Sequence, residues 1–81
     1  MYYVYVLKSE KDSKHYIGYT NDLKRRFEEH NQGNNLSTRN RIPFELIYYE
    51  AYTHKSLAIR RENKLKEFKN SYTQLFKRIY E

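Results

Sequence analysis

Every residue from Tyr2 to Leu7 is apolar or aromatic. Tyr3, Tyr5 and Leu7 fall on one side of an extended chain, and Tyr2, Val4 and Val6 on the other. The run therefore predicts a strand covered on both faces. Ser9 to Lys14 is polar and holds Asp12 and Ser13, a turn composition. His15 to Thr20 then reads as a second strand, and the short link makes the pair an antiparallel hairpin. A helix is expected from near Asn21. Asn21 is its predicted cap, and Asp22 sets negative charge at the positive end of the helix dipole. Leu23 and Phe27, one turn apart, face the core, and Gly33 ends the helix in a left-handed conformation. Asn34 to Pro43 is a polar loop carrying Arg39 and Arg41.

Phe44 to Tyr52 predicts a third strand, again apolar on both sides. A second helix is expected from His54 to Lys69, with Leu57, Ala58, Leu65 and Phe68 as its apolar stripe. Ser71-Tyr72-Thr73-Gln74 fits a capping box and predicts a short third helix with Leu75, Phe76 and Ile79 inward. The expected order is β-β-α-β-α-α. It is an α+β arrangement with a small three-stranded, mainly antiparallel sheet flanked by helices.

Length and composition narrow the picture. A chain of 81 residues is expected to form one domain over residues 1–81. It has no Cys, so neither a disulfide nor a thiolate zinc site, which is compatible with a reducing cytoplasm. No apolar run approaches the roughly 20 residues of a membrane span. Ten Tyr and four Phe supply the core bulk. The formal charge is +6, from 16 Lys+Arg against 10 Asp+Glu, and favours an anionic partner, most simply nucleic acid.

Several chemistries are excluded. There is no His-Glu-x-x-His, no clustered acid pair for two metals and no nucleophile elbow. With only Gly18 and Gly33, no glycine-rich phosphate loop exists. What remains is a set of five. Arg26 and His30 lie four apart on one helical face; the simpler alternative is a solvated basic face with Lys24, Arg25 and Glu29. Glu62 stands beside the second helix's apolar stripe, where a carboxylate needs a partner or a metal; the alternative is an intrahelical pair with Lys66. Tyr5 and Tyr16 are set apart from the packing tyrosines only by this pattern.

Together these residues resemble the GIY-YIG nuclease superfamily, in its small stand-alone branch. The likeness rests on Tyr3-Val4-Tyr5, Tyr16-Ile17-Gly18 and the run Asn21 to His30. Pro43 to Tyr48 and Ala58 to Lys66 extend it. The first motif has lost its glycine, and neither Asn63 nor Asn70 aligns with the family's late asparagine. The resemblance extends to the N-terminal incision domain of the bacterial excision-repair nuclease. It implies a DNA endonuclease or nicking enzyme, of repair or recombination type, using one Mg²⁺ or Mn²⁺ ion. By position, Tyr5, Tyr16, Arg26, His30 and Glu62 match the catalytic residues, with Glu62 as metal ligand. Tyr16 is the expected base or water-positioner and Tyr5 its rival. Lys24, Arg25, Arg39 and Arg41 are candidate contacts to the DNA backbone. One such site cuts one strand, and double-strand cleavage would need a dimer or two visits; a monomer or weak homodimer is expected. The competing readings are a catalytically weak nucleic-acid-binding module, whose basic and aromatic surface suits stacking, and a protein-interaction scaffold.

Overall fold

The computed structural model describes Met1–Glu81. Three strands, β1 (Tyr2–Ser9), β2 (His15–Thr20) and β3 (Phe44–Tyr52), form one sheet in the order β2-β1-β3. Both pairings are antiparallel, so the sheet has no parallel strand. The helices are α1 (Leu23–Asn31), α2 (Lys55–Glu67) and α3 (Lys69–Tyr80). The loop after α1 contains a short 3-10 turn at Arg39–Arg41.

The central strand β1 is buried on both faces, as its unbroken apolar run requires. Val4 and Val6 join Ile17, Ala58, Leu65 and Leu75 in a core under α2 and α3. Each large aliphatic buried there contributes about 1.5–3 kcal/mol. Tyr5 and Leu7 face the other way and pack with Phe44, Tyr16, Leu23 and Phe27 under α1. Val6 pairs with Tyr48 and Leu7 with Leu46, leaving Ile47 as an extra residue on β3. This bulge lets Ile47 and Tyr48 both face α2 and α3, while Leu46 and Phe44 return to the α1 side. The Asn31 side chain fastens the end of α1 to the start of β3. Its amide donates to the Phe44 carbonyl at 3.0 Å, and its oxygen accepts the Phe44 N–H at 2.6 Å.

Three local expectations are corrected. The α1 cap is Asp22, not Asn21: the Asp22 carboxylate accepts the Arg25 N–H at 3.1 Å. The third helix does not use the Ser71–Gln74 capping box. Phe68 takes an extended conformation (φ −112°, ψ 109°) and α3 starts directly after it, with no side-chain cap. Phe68 and Leu57 lie outside the buried stripe, at 57% and 43% exposure. The stripe of α2 is instead Ala58, Arg61, Glu62 and Leu65, one helical face at i, i+3, i+4 and i+7. Gly33 does take the left-handed conformation (φ 78°) past the end of α1.

Candidate active site

The α1-facing side of the sheet gathers Tyr5 from β1, Tyr16 from β2 and His30 from the last turn of α1. The Tyr16 ring meets the His30 ring edge-on at 5.0 Å between centroids, and Tyr5 does so at 5.8 Å. The two tyrosine rings are 6.4 Å apart. His30 is not on a solvated basic face. It is 0% exposed, with Nε2 3.0 Å from the Tyr5 hydroxyl and Nδ1 2.8 Å from the Thr38 hydroxyl. A neutral imidazole has one donor and one acceptor nitrogen, and each hydroxyl can complement either. Burial and the nearby Arg26 guanidinium push His30 below the ordinary histidine range, so it is held neutral.

Burial and the adjacent Tyr16 push the Tyr5 phenol well above the ordinary tyrosine range. Glu62 and Glu29 act in the same sense and Arg26 against it. At 2% exposure, Tyr5 keeps its proton and serves as a hydrogen-bond anchor for His30.

Gly18, directly across from Tyr5 on β2, makes this seat possible. A Cβ at position 18 would lie 2.5 Å from the Tyr5 Oη and 2.6 Å from its Cζ. The Tyr5 phenol occupies the space where any other residue would carry a side chain.

The remaining two residues of the set stand at the rim. The Arg26 side chain is 40% exposed and only 3.9 Å from Glu29, a loose pair. The Glu62 carboxylate accepts from Lys66 Nζ at 3.3 Å, so the expected intrahelical pair exists. That pair is also part of the site: Lys66 Nζ lies 5.9 Å from the Tyr16 ring centre. Because β2 is an edge strand, α2 reaches past it to Tyr16. Thr38 was missed by sequence reasoning, and Lys66 was read only as a partner of Glu62. A lone threonine in a polar loop carries no signal until the fold brings it to His30, nor does a helix lysine show that it reaches Tyr16.

Only one carboxylate serves the rim from α2, and no group of three or more His, Cys, Asp or Glu clusters anywhere. This donor set does not fit a zinc-type cage. A single carboxylate is the donor set of a hard divalent ion whose remaining ligands are water and substrate phosphate.

The four candidate DNA contacts separate. Lys24 and Arg25 are exposed on α1, and Arg39 is exposed in the 3-10 turn. Arg41 is turned inward. Its Nε donates to Asp12 at 2.7 Å, its Nη2 to the His15 carbonyl at 3.4 Å, and its guanidinium lies 5.6 Å from the Phe44 ring centre. The Arg41 hydrogen bond, with that from the Lys14 N–H, lowers the Asp12 carboxyl to about 2. Arg41 is a strut between two loops rather than a free cation.

A second polar constellation lies on the opposite layer. Glu50 accepts from the Tyr48 and Tyr52 hydroxyls at 2.6 and 2.5 Å and from Arg61 Nε and Nη2, each at 3.0 Å. Burial alone would raise its carboxyl, but the hydrogen bonds from Arg61, Tyr48 and Tyr52 together hold it below the usual range. Its bonds are all internal, so it ties β3 to α2.

One side of the three-stranded antiparallel sheet thus brings together two tyrosines, a histidine and an arginine from α1 and, at the rim, a glutamate from α2. The chain belongs to the GIY-YIG catalytic domain family, whose model matches residues 1–77. More narrowly, it is similar to UPF0213 proteins. One from Halobacterium salinarum is 43% identical over 83% of this chain and 87% of the relative. One from Streptococcus pneumoniae is 40% identical over 91% and 75%. The solution NMR structure of a UPF0213 protein from Bacillus halodurans matches with a TM-score of 0.60 and 36% identity, covering 95% of this chain and 84% of that one.

Proposed function

We propose that this chain is a divalent-metal-dependent DNA endonuclease that nicks one strand at the Tyr5, Tyr16, Arg26, His30 and Glu62 site. The observation that carries the reading is convergence. Residues from β1, β2 and α1 are in mutual contact, and Glu62 on α2 is linked to Tyr16 through Lys66.

Within this proposal the residues divide the work. Glu62 would hold one Mg²⁺ or Mn²⁺ ion, and a bound ion there supplies polarisation of the phosphate and stabilisation of the leaving 3′-oxygen. Tyr16, with Lys66 Nζ 5.9 Å from its ring centre, orients the attacking water; having first given its own proton to solvent, it takes the water's proton as a phenolate and returns to the phenol. Tyr5, His30 and Thr38 form a neutral hydrogen-bonded chain that fixes the Tyr16 ring. Arg26, exposed and loosely paired, offers its planar fork to the phosphoryl oxygens.

The test is nicking of supercoiled plasmid with Mg²⁺ or Mn²⁺. Tyr16→Phe is expected to lower the rate about 10²–10⁴-fold, the range for loss of a general base. Arg26→Ala is expected to lower it about 10²–10³-fold, and Glu62→Gln to abolish it. Equal activity in the wild type and all three variants would sink the reading.

A second reading, a binding module without catalysis, draws on the aromatic row of α3. Tyr72 and Phe76 lie 4.3 Å apart, and Phe76 stacks on Tyr80 at 6.0 Å. Such rows suit stacking on bases. Salt-dependent binding without cleavage by any metal, unchanged in Glu62→Gln, would favour it.

A further inference from the structure

Beside the candidate active site lies a polar groove of ≈ 270 Å³, lined by Tyr2, Tyr19, Thr20, Asn21, Arg25, Arg26 and Lys55. Three cations from two helices converge on it, and no carboxylate lines it. Asp22 caps α1, and Glu29 pairs loosely with Arg26 at 3.9 Å. Neither Arg25 nor Lys55 has an ion-pair partner. Arg25 and Lys55 thus stand on the groove as like charges without a counter-ion, which repel.

A second feature adds to this. Lys55 opens α2, a helix of 13 residues whose cap, His54, gives no side-chain hydrogen bond and whose first turn holds no acid. The positive end of that helix dipole is left uncompensated at the rim of the groove. The phenol groups of Tyr2 and Tyr19 and the amide of Asn21 supply neutral donors alongside.

We infer that this groove is a phosphate subsite, made by Arg25, Lys55 and the start of α2, which holds a backbone phosphate next to the one acted on. Arg26 is the shared wall. It lines the groove and also acts on Tyr5 and His30. A strand seated in the groove is thereby delivered to Tyr16 and Glu62 in one orientation. That the ligand is the phosphate adjoining the cleaved one rests on the nuclease reading above; the groove's affinity for phosphate does not. The contact is positional, not base-reading.

The test is fluorescence anisotropy with a short fluorescein-labelled DNA duplex in EDTA, so that cleavage does not intervene. Affinities are taken between about 50 and 200 mM salt. Arg25→Ala/Lys55→Ala is expected to bind about tenfold more weakly, with the log–log salt slope reduced by about 0.9, the value for one lost phosphate. Lys55→Glu should lose at least as much as the double alanine variant. Lys77→Ala, which removes one positive charge from α3, is the control and should change the affinity much less. If plasmid nicking is observed, the double variant should raise KM and leave kcat near wild type. If no nicking is found, the nuclease reading fails and the anisotropy still decides the groove. A double variant with native circular dichroism and a wild-type salt slope, or one no weaker than Lys77→Ala, overturns the inference.

Discussion

Replacing Gly18 by alanine tests the seat of Tyr5 directly. The added methyl would stand 2.5 Å from the Tyr5 Oη and 2.6 Å from Cζ, against about 3.5–4.0 Å for an unstrained carbon contact. One of the two must move by about 1 Å. Gly18 is fixed by its pairing with β1. Tyr5 is fixed by burial and by the 3.0 Å bond to His30. Overpacking of this kind costs about 1–3 kcal/mol. If the phenol swings away, His30 loses a partner inside the protein, about 1–3 kcal/mol more. A total of at least about 2 kcal/mol lowers Tm by roughly 8–16 °C for a domain of this size. Thermal unfolding followed by circular dichroism reads it. The double variant Gly18→Ala/Tyr5→Leu supplies the diagnostic step. With the phenol gone, the alanine should add little further destabilisation, so the two changes should be strongly non-additive. A Gly18→Ala protein within about 4 °C of wild type, or additive effects in the double variant, would refute this account of the motif glycine.

Three further outcomes are expected. Thr38→Val keeps the shape but leaves His30 Nδ1 without its 2.8 Å partner, so urea denaturation should show a loss of about 1–3 kcal/mol; no loss would mean that water replaces the hydroxyl. Stability should fall as pH drops below about 6.5, because the unfolded chain then binds a proton that the folded, neutral His30 refuses. His15, also shifted downward by burial and by Lys8 and Arg41, contributes in the same direction; His30→Gln should flatten the slope of urea midpoint against pH, and an unchanged slope would count against a neutral His30. Arg61→Met should cost about 1–2 kcal/mol, discounted for side chains still 25% and 14% exposed. A double-mutant cycle with Glu50→Gln that shows no coupling would contradict the ion pair.

Strand signals were plainly legible because β1 and β3 are apolar or aromatic over nearly their whole length, and no helical period competes with them. Phe44–Tyr52 is the predicted third strand residue for residue. Helix boundaries were less so. Asn21 and Asp22 are both good caps, and only the placement of the Arg25 N–H decides for Asp22. Phe68 read as core because leucine and phenylalanine carry no label for which layer they meet, and the break between α2 and α3 turns it outward. For the site, the spacing of Arg26 and His30 fixed a shared face but not its depth. His30 is sealed by Thr38, eight residues away across a loop whose path no periodicity encodes. Of the two readings of Glu62, the structure shows the pair with Lys66, and that lysine also lies over Tyr16.

The two-faced burial of β1 has a consequence for how this gene tolerates change. Along six residues the chain alternates between the α2–α3 core, through Val4 and Val6, and the candidate active-site face, through Tyr5 and Leu7. A saturation scan of β1 scored separately for abundance and for activity should lose abundance at Val4, Val6 and Leu7, all buried. Tyr5 would be lost from activity under substitutions, such as phenylalanine, that keep the protein in solution. A single inserted residue in β1 would exchange the two ledgers and fail in both, so this strand can vary by substitution but not by length.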